Sequence, residues 1–376
     1  MKSPLLAQAR SLPKVLLHEH LDGGLRVGTL LELLRERGLA CPAPDEARLS
    51  VWFEDRAHAG SLEEYLRGFA LTVAAMASPQ ALERVAYEAA EDARLDGCVL
   101  AEFRIAPLLF EPFGVPADVA VEALLAGLSR SALPSGLIVC AMRHHPDEDI
   151  ARSADLALRW SAQARAAGER AAVVGFDLAG PEAGWPATRH AALLRRVQEA
   201  GLGLTLHAGE ADAGVRVLEA IRLGATRVGH GVRLVDLLPG ASPAGPTGVD
   251  GASPQEQDAQ DAQDAVWAEV LASGVHLEVC PTSNVQTGAA PSIAQHPIGA
   301  LWRAGIPLSF HTDNRLISCV SHSQEAAGLI REAQFSWQEL VRMGEMAAQA
   351  SFLGVEARRA ALQALLAWQA PNSYSF

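Results

Sequence analysis

Short β-branched or apolar runs recur along the chain, separated by longer segments in which Leu, Ala, Glu and Arg follow helical spacing. Eight runs stand out: KVLLHEH from Lys14, CVLAEFRIAP from Cys98, GLIVCAM from Gly136, AAVVGFDLAG from Ala171, GLGLTLHAG from Gly201, RVGHG from Arg227, HLEVCPTSN from His276 and IPLSFHTDN from Ile306. Between them VGTLLELLRERG, ALERVAYEAAEDARLDG, PADVAVEALLAGLSR and ATRHAALLRRVQEAG read as helices, most of them ending on a glycine suited to a left-handed cap. Such alternation implies parallel strands joined by right-handed crossovers, and eight repeats close a (β/α)8 TIM barrel. An open doubly wound sheet is the alternative topology. Against it, His20, Gly180, His207, His230 and Asp313 all fall at the carboxyl ends of their runs, where a barrel gathers its active site. Residues 1–376 are therefore expected to form one barrel domain.

Two segments break the alternation. Residues 60–95 read as two consecutive helices after the first strand, and Leu62, Tyr65, Leu66 and Phe69 form an apolar stripe that is either core or the underside of a helical lid. Residues 239–264, poor in bulky apolar side chains and rich in Gly, Pro, Ala, Asp and Gln, predict a flexible insertion.

Composition narrows the partners. A formal net charge of −13 repels polyanions, so no nucleic acid is expected and a small ligand fits better. The five cysteines are scattered and form no CxxC, against both a disulfide framework and a thiolate zinc site. The first residues do not read as a signal sequence, and no run of about 18 apolar residues would span a membrane. A cytoplasmic protein is expected.

His18 and His20 lie two apart near a strand end, so both imidazoles point to the barrel interior. With His207, His230 and Asp313 at other strand ends, three histidines and one aspartate would close a single zinc site with a position left for water. The remaining histidine and Glu210 would stand beside it, as a hydrolase requires. Lys2 and Lys14 are the only lysines and the fourth run reads GFDLAG, which argues against a lysine-bridged binuclear site and against Schiff-base chemistry. Glu210, three residues after His207, is either an acid held against an apolar wall or a first-turn carboxylate favouring the helix dipole.

HEHLDGG, GFDLAGPE, HAGE, RVGHG, EVCPTSNVQTG and HTDN, in this order, resemble the adenosine deaminase family, over nearly the whole chain from Lys14 to the last helices. The resemblance implies one zinc per subunit held by His18, His20, His207 and Asp313. It further implies that His230 and Asp313 steer the attacking water and that Glu210 gives a proton to purine N1. Asp22 would meet the ribose 5′ hydroxyl, the backbone of Gly180 would meet N3, and His20 would also border the substrate. Leu62, Tyr65, Leu66 and Phe69 fall where the family has a gating helix, and Ser283 falls in the stretch supporting the site after strand seven. Asn314 stands where many members have a second aspartate; its amide NH2 would donate to N7, and the TDNR run resembles bacterial members. Arg315 would shape the 5′ side or cap a structural carboxylate, and Cys140, His144 and His145 would line or rim the cavity.

The implied activity is hydrolytic deamination of adenosine and 2′-deoxyadenosine to the inosine product and ammonia, for purine salvage. A 5′-substituted adenine nucleoside such as aminodeoxyfutalosine is the rival substrate, and a nucleoside-binding protein without catalysis the rival class. A nucleic-acid base deaminase is disfavoured because the paired HxE and PCxxC zinc signature is absent.

Overall fold

The computed structural model describes residues 4–57, 62–167, 171–239 and 254–369. Strands β1 (Lys14–Leu16), β2 (Cys98–Ile105), β3 (Ser135–Met142), β4 (Ala172–Ala179), β5 (Gly203–Ala208), β6 (Arg227–His230), β7 (His276–Val279) and β8 (Leu308–Phe310) pair in parallel in chain order, with helices between them. Seven lie within the expected runs and β3 begins one residue before its run, at Ser135; the architecture is the (β/α)8 barrel. The ring closes just beyond β1 and β8, where His20 N–H donates to Asp313 O at 2.7 Å and Asp313 N–H to His18 O at 3.0 Å. Closure therefore falls on the residues expected to carry the chemistry.

The strands are buried on both faces, as a parallel sheet covered by helices demands. On β2 the period of two sends Ala101, Phe103 and Ile105 to the helical layer and Glu102 and Arg104 inward. Helix starts follow local chemistry: the Ser78 side chain accepts from Ala81 N–H ahead of Pro79–Leu95, with proline in the first turn. His322–Arg331 and Trp337–Ala350 open on capping boxes, Ser321 with Gln324 and Ser336 with Glu339.

Between β1 and β2 stand helices Val27–Glu36, Glu46–Ala57, Leu62–Met76 and Pro79–Leu95. The last two are the pair expected over 60–95. Glu46–Ala57 was not expected, although Leu49, Phe53 and Ala57 are buried at intervals of four, the spacing of one helix face. Helix Leu62–Met76 packs on the turn Leu21–Gly23, and the Phe69 ring stands edge-on to His20 with centroids 6.4 Å apart. The side chains of Leu62, Tyr65 and Leu66 lie outside the described residues.

Most of the expected insertion, 240–253, also lies outside them. From Pro254 the backbone is helical to Ser273: Ala, Gln and Glu favour a helix even without bulky apolar neighbours. Among the described residues no helix is long and apolar enough to cross a membrane.

The floor of the barrel is closed by Phe352, whose ring lies under the Arg227 guanidinium at 3.7 Å. A Cβ at Gly203 would fall 2.3 Å from Phe352 Cγ, closer than real atoms approach. Gly203→Ala is accordingly expected to cost about 1–3 kcal/mol, as overpacking does. The shift in the urea unfolding midpoint measures it, and an unchanged midpoint would mean that Phe352 swings aside freely.

Candidate active site

At the carboxyl end of the barrel, His18, His20, His207 and Asp313 bring one donor atom each to within 4.8 Å of one another. His18 is fully buried; its Nδ1 is 2.9 Å from Glu278 Oε2, which fixes the proton there and leaves Nε2 a bare acceptor. That Nε2 is buried with no hydrogen-bond partner, 3.4 Å from Asp313 Oδ1. His207 is held alike, Nδ1 lying 2.9 Å from Asp177 Oδ2, and its Nε2 faces His20 Nε2 at 3.3 Å. Imidazole lone pairs and a carboxylate facing one another repel unless a cation lies between them, so this donor set fits a metal ion. Burial holds His20 well below the usual histidine range, which keeps it a neutral donor.

Local backbone shape aims these groups. His230 and Asp313 sit in the left-handed region, at φ 63° and 60°, and such strain in non-glycine residues gathers at functional sites. Gly229 is required by proximity: a Cβ there would lie 2.8 Å from His18 Cε1. Asp313 Oδ2 accepts from Ser283 Oγ at 2.6 Å, so Ser283 orients the carboxylate from behind. Burial pushes the Asp313 carboxyl up, but the surrounding His18, His230 and His20 rings hold it well below the usual range.

Glu210 and His230 flank the cluster. Glu210 Oε2 lies 3.5 Å from His230 Nε2, and Glu210 Oε1 accepts from Thr287 Oγ1 at 3.0 Å. Asn284 Nδ2 donates to His230 Nδ1 at 3.0 Å, so the neutral ring carries its proton on Nε2, facing the cavity side. His230 is thereby a donor that can orient a water.

Asp22 is buried, and its Oδ1 has no hydrogen-bond partner; burial raises its carboxyl to about 7. Gly180 follows β4 with φ 92°, beside the His144 ring. His144 and His145 meet edge to face at the rim with centroids 4.7 Å apart, while Cys140 lies buried against Asp177 at 3.6 Å. Asn314 is buried next to Asp313. Arg315 Nε donates to Glu19 at 2.9 Å and Nη1 lies 3.4 Å from Asp92, so it caps structural carboxylates.

Sequence reasoning missed the charged layer beneath the cluster. Arg104 joins Asp177 at 2.8 Å to Glu278 at 2.5 Å, the two carboxylates that hold His207 and His18. Arg227 joins Glu278 to Glu102, each at 2.6 Å, and Glu102 ends on the Phe352 N–H at 2.6 Å. All five side chains are fully buried. Burial alone would raise the Glu278 carboxyl, but Arg104 and Arg227 hold it well below the carboxylate range. The available signal was a charged residue in the middle of an apolar run: Glu102 and Arg104 two apart, Asp177 in GFDLAG, Glu278 in HLEV.

Comparison with known proteins agrees with this geometry. The adenosine deaminase family pattern matches residues 13–368, spanning all eight strands. The adenosine deaminase of Mycobacterium avium (strain 104) is 39% identical over 97% of this chain and 98% of its own length. That of Mycobacterium tuberculosis (strain H37Rv) is 38% identical over 97% and 96%. The solved N6-methyl-AMP deaminase of Arabidopsis thaliana, 24% identical, superposes with a TM-score of 0.75 over 96% of this chain and 98% of its own, a likeness of fold. With the family pattern running from β1 to the last helices and a relative alike over its full length, the chain belongs to the adenosine deaminase family of hydrolases that act on C–N bonds.

Proposed function

We propose that the protein is a cytoplasmic, zinc-dependent enzyme that hydrolyses adenosine and 2′-deoxyadenosine to the corresponding inosine and ammonia in purine salvage, with one zinc per subunit. The observation that carries this is the meeting of a four-donor His/Asp cluster with Glu210 across His230 at the carboxyl end of the barrel. The mycobacterial relatives named adenosine deaminase support the substrate.

His18, His20, His207 and Asp313 would hold the metal; three imidazoles and one carboxylate suit zinc, and bound zinc supplies Lewis acidity that makes water nucleophilic at neutral pH. Glu210 holds a proton and delivers it to purine N1, so that C6 can accept the attacking oxygen. His230 Nε2–H and the Asp313 carboxylate orient that water on one face of the ring. The Gly180 backbone N–H donates to N3 and the Asn314 amide to N7. The 5′ hydroxyl donates to Asp22 Oδ1, which supports this role by lacking any other partner. Helix Leu62–Met76 serves as the lid, with Phe69 beside His20 at the substrate face.

Asp22 also argues against a charged 5′ group, because a phosphate would lie against a carboxyl with Asp313 nearby. Purified zinc-loaded protein is expected to release ammonia from adenosine with higher kcat/KM than from AMP or from aminodeoxyfutalosine. Preference for a bulky 5′ substituent would reassign the substrate, and binding of adenosine without ammonia would make the protein a nucleoside-binding one.

A further inference from the structure

Glu182 lies two residues beyond Gly180, buried at the mouth of the barrel. Its carboxylate takes the backbone N–H groups of four consecutive residues of the next loop. Oε1 accepts from Gly209 at 2.5 Å, and Oε2 accepts from Glu210 at 3.1 Å, Ala211 at 2.9 Å and Asp212 at 3.1 Å. The loop bearing Glu210 is thus wound around one side chain. Arg143 braces the same junction from below, its Nη2 donating to Leu178 O at 2.6 Å and to His207 O at 2.5 Å.

We infer that Glu182 is a positioning residue that sets the Glu210 carboxyl against the purine by tying the loop after β5 to the loop after β4. The inference rests on the proposed role of Glu210 as the acid for N1. Gly180 and Glu210 would meet N3 and N1, two atoms on one edge of the purine, and they come from different strand ends. A carboxylate anchored two residues from Gly180 and bonded to the amide of Glu210 itself fixes the distance between those contacts. The anion is required for the geometry: one oxygen serves one N–H and the other serves three. A glutamine offers a single carbonyl oxygen, so its NH2 group would face at least one amide donor and push the loop away.

Displacing a catalytic group by about 1 Å costs on the order of 10²-fold in rate. Glu182→Gln is therefore expected to lower kcat by about 10- to 10²-fold with KM within about threefold and zinc content unchanged. A general loss of structure would instead lower zinc content and folded fraction together. The double variant Glu182→Gln, Glu210→Gln should be no slower than Glu210→Gln alone, since Glu182 acts through a carboxyl already removed. Wild-type kcat in Glu182→Gln, or losses that multiply in the double variant, would overturn the inference while leaving Glu210 as the acid. Near-normal turnover in Glu210→Gln would overturn both. Should Glu182→Gln fail to fold, Glu182→Asp, with both oxygens drawn back by one methylene, takes its place: a selective fall in kcat supports the role and an unchanged kcat refutes it.

Discussion

Glu210→Gln is expected to lower kcat by about 10²- to 10⁴-fold, the usual worth of a positioned general acid, with zinc content and nucleoside affinity nearly unchanged. The substitution is close to isosteric. Thr287 Oγ1 and Asn284 Nδ2, which lie 3.0 Å and 3.5 Å from Glu210 Oε1, can both keep donating to the glutamine oxygen, so the side chain should stay in place. What disappears is the transferable proton. An amide NH2 can still hydrogen-bond to N1 in the ground state, which preserves binding, but it cannot give N1 a full proton as charge builds on the ring in the transition state. Steady-state kinetics with metal analysis of the same sample separate these effects. Equal kcat in the two proteins would remove Glu210 from the acid role, and a large rise in KM at constant kcat would make it a binding group.

How far the sequence foretold this site depended on where each residue's partner lies. His18, His20, His207 and Asp313 were legible because each stands at the end of an apolar run, and barrel closure brings strand ends together whatever the details of packing. Even so, β1 ends at Leu16, so His18 and His20 are held by extended chain beyond the strand, bridged to Asp313 and Arg104. The support for those ligands was not legible. Glu278 and Asp177 matter through the Nδ1 atoms of His18 and His207, and Arg104 matters because it touches both carboxylates, contacts that join β2, β4 and β7. Nothing in the local pattern of any one strand announces a partner 174 positions away. The role of Glu182, the last residue of GFDLAGPE, was not legible for another reason: its partners are backbone amides, which have no sequence signature. Helix Glu46–Ala57 was missed because polar residues outnumber its buried ones, and the Leu49, Phe53, Ala57 face is narrow.

Buried charge on this scale has a cost that bears on metal binding. Ion pairs removed from water gain little net stability when complete, but breaking one strands a charge and costs about 3–5 kcal/mol. Arg104, Arg227, Glu102, Asp177 and Glu278 therefore serve less to stabilise the barrel than to keep two imidazoles in one tautomer and one orientation. The ordered layer holds the donors of the proposed metal site rigid. A rigid site loses its affinity in proportion to the ligand removed, because the others cannot move to compensate.

Asp313→Ala should therefore lose zinc and activity together. Asp313 supplies the negative charge of the cluster, with Oδ1 at 3.4 Å from His18 Nε2 and 3.6 Å from His20 Nε2. Removing it leaves three neutral imidazoles, and loss of groups that merely orient ligands already costs about 10- to 10²-fold in metal affinity, so loss of a ligand should exceed that. Alanine also tolerates the left-handed φ of 60° at this position less well than aspartate, and the Asp313 backbone closes the barrel through His18 and His20. Asp313→Asn separates the two causes, since asparagine keeps the shape and accepts the backbone conformation while removing the charge. After dialysis against chelator and return to equimolar zinc, both variants are expected to hold far less metal than the parent protein. Both should also lose the zinc-dependent rise in Tm that binding to the folded state confers. Full zinc occupancy in Asp313→Ala as well as in Asp313→Asn, measured by elemental analysis, would strike Asp313 from the ligand set and leave the metal to the three histidines.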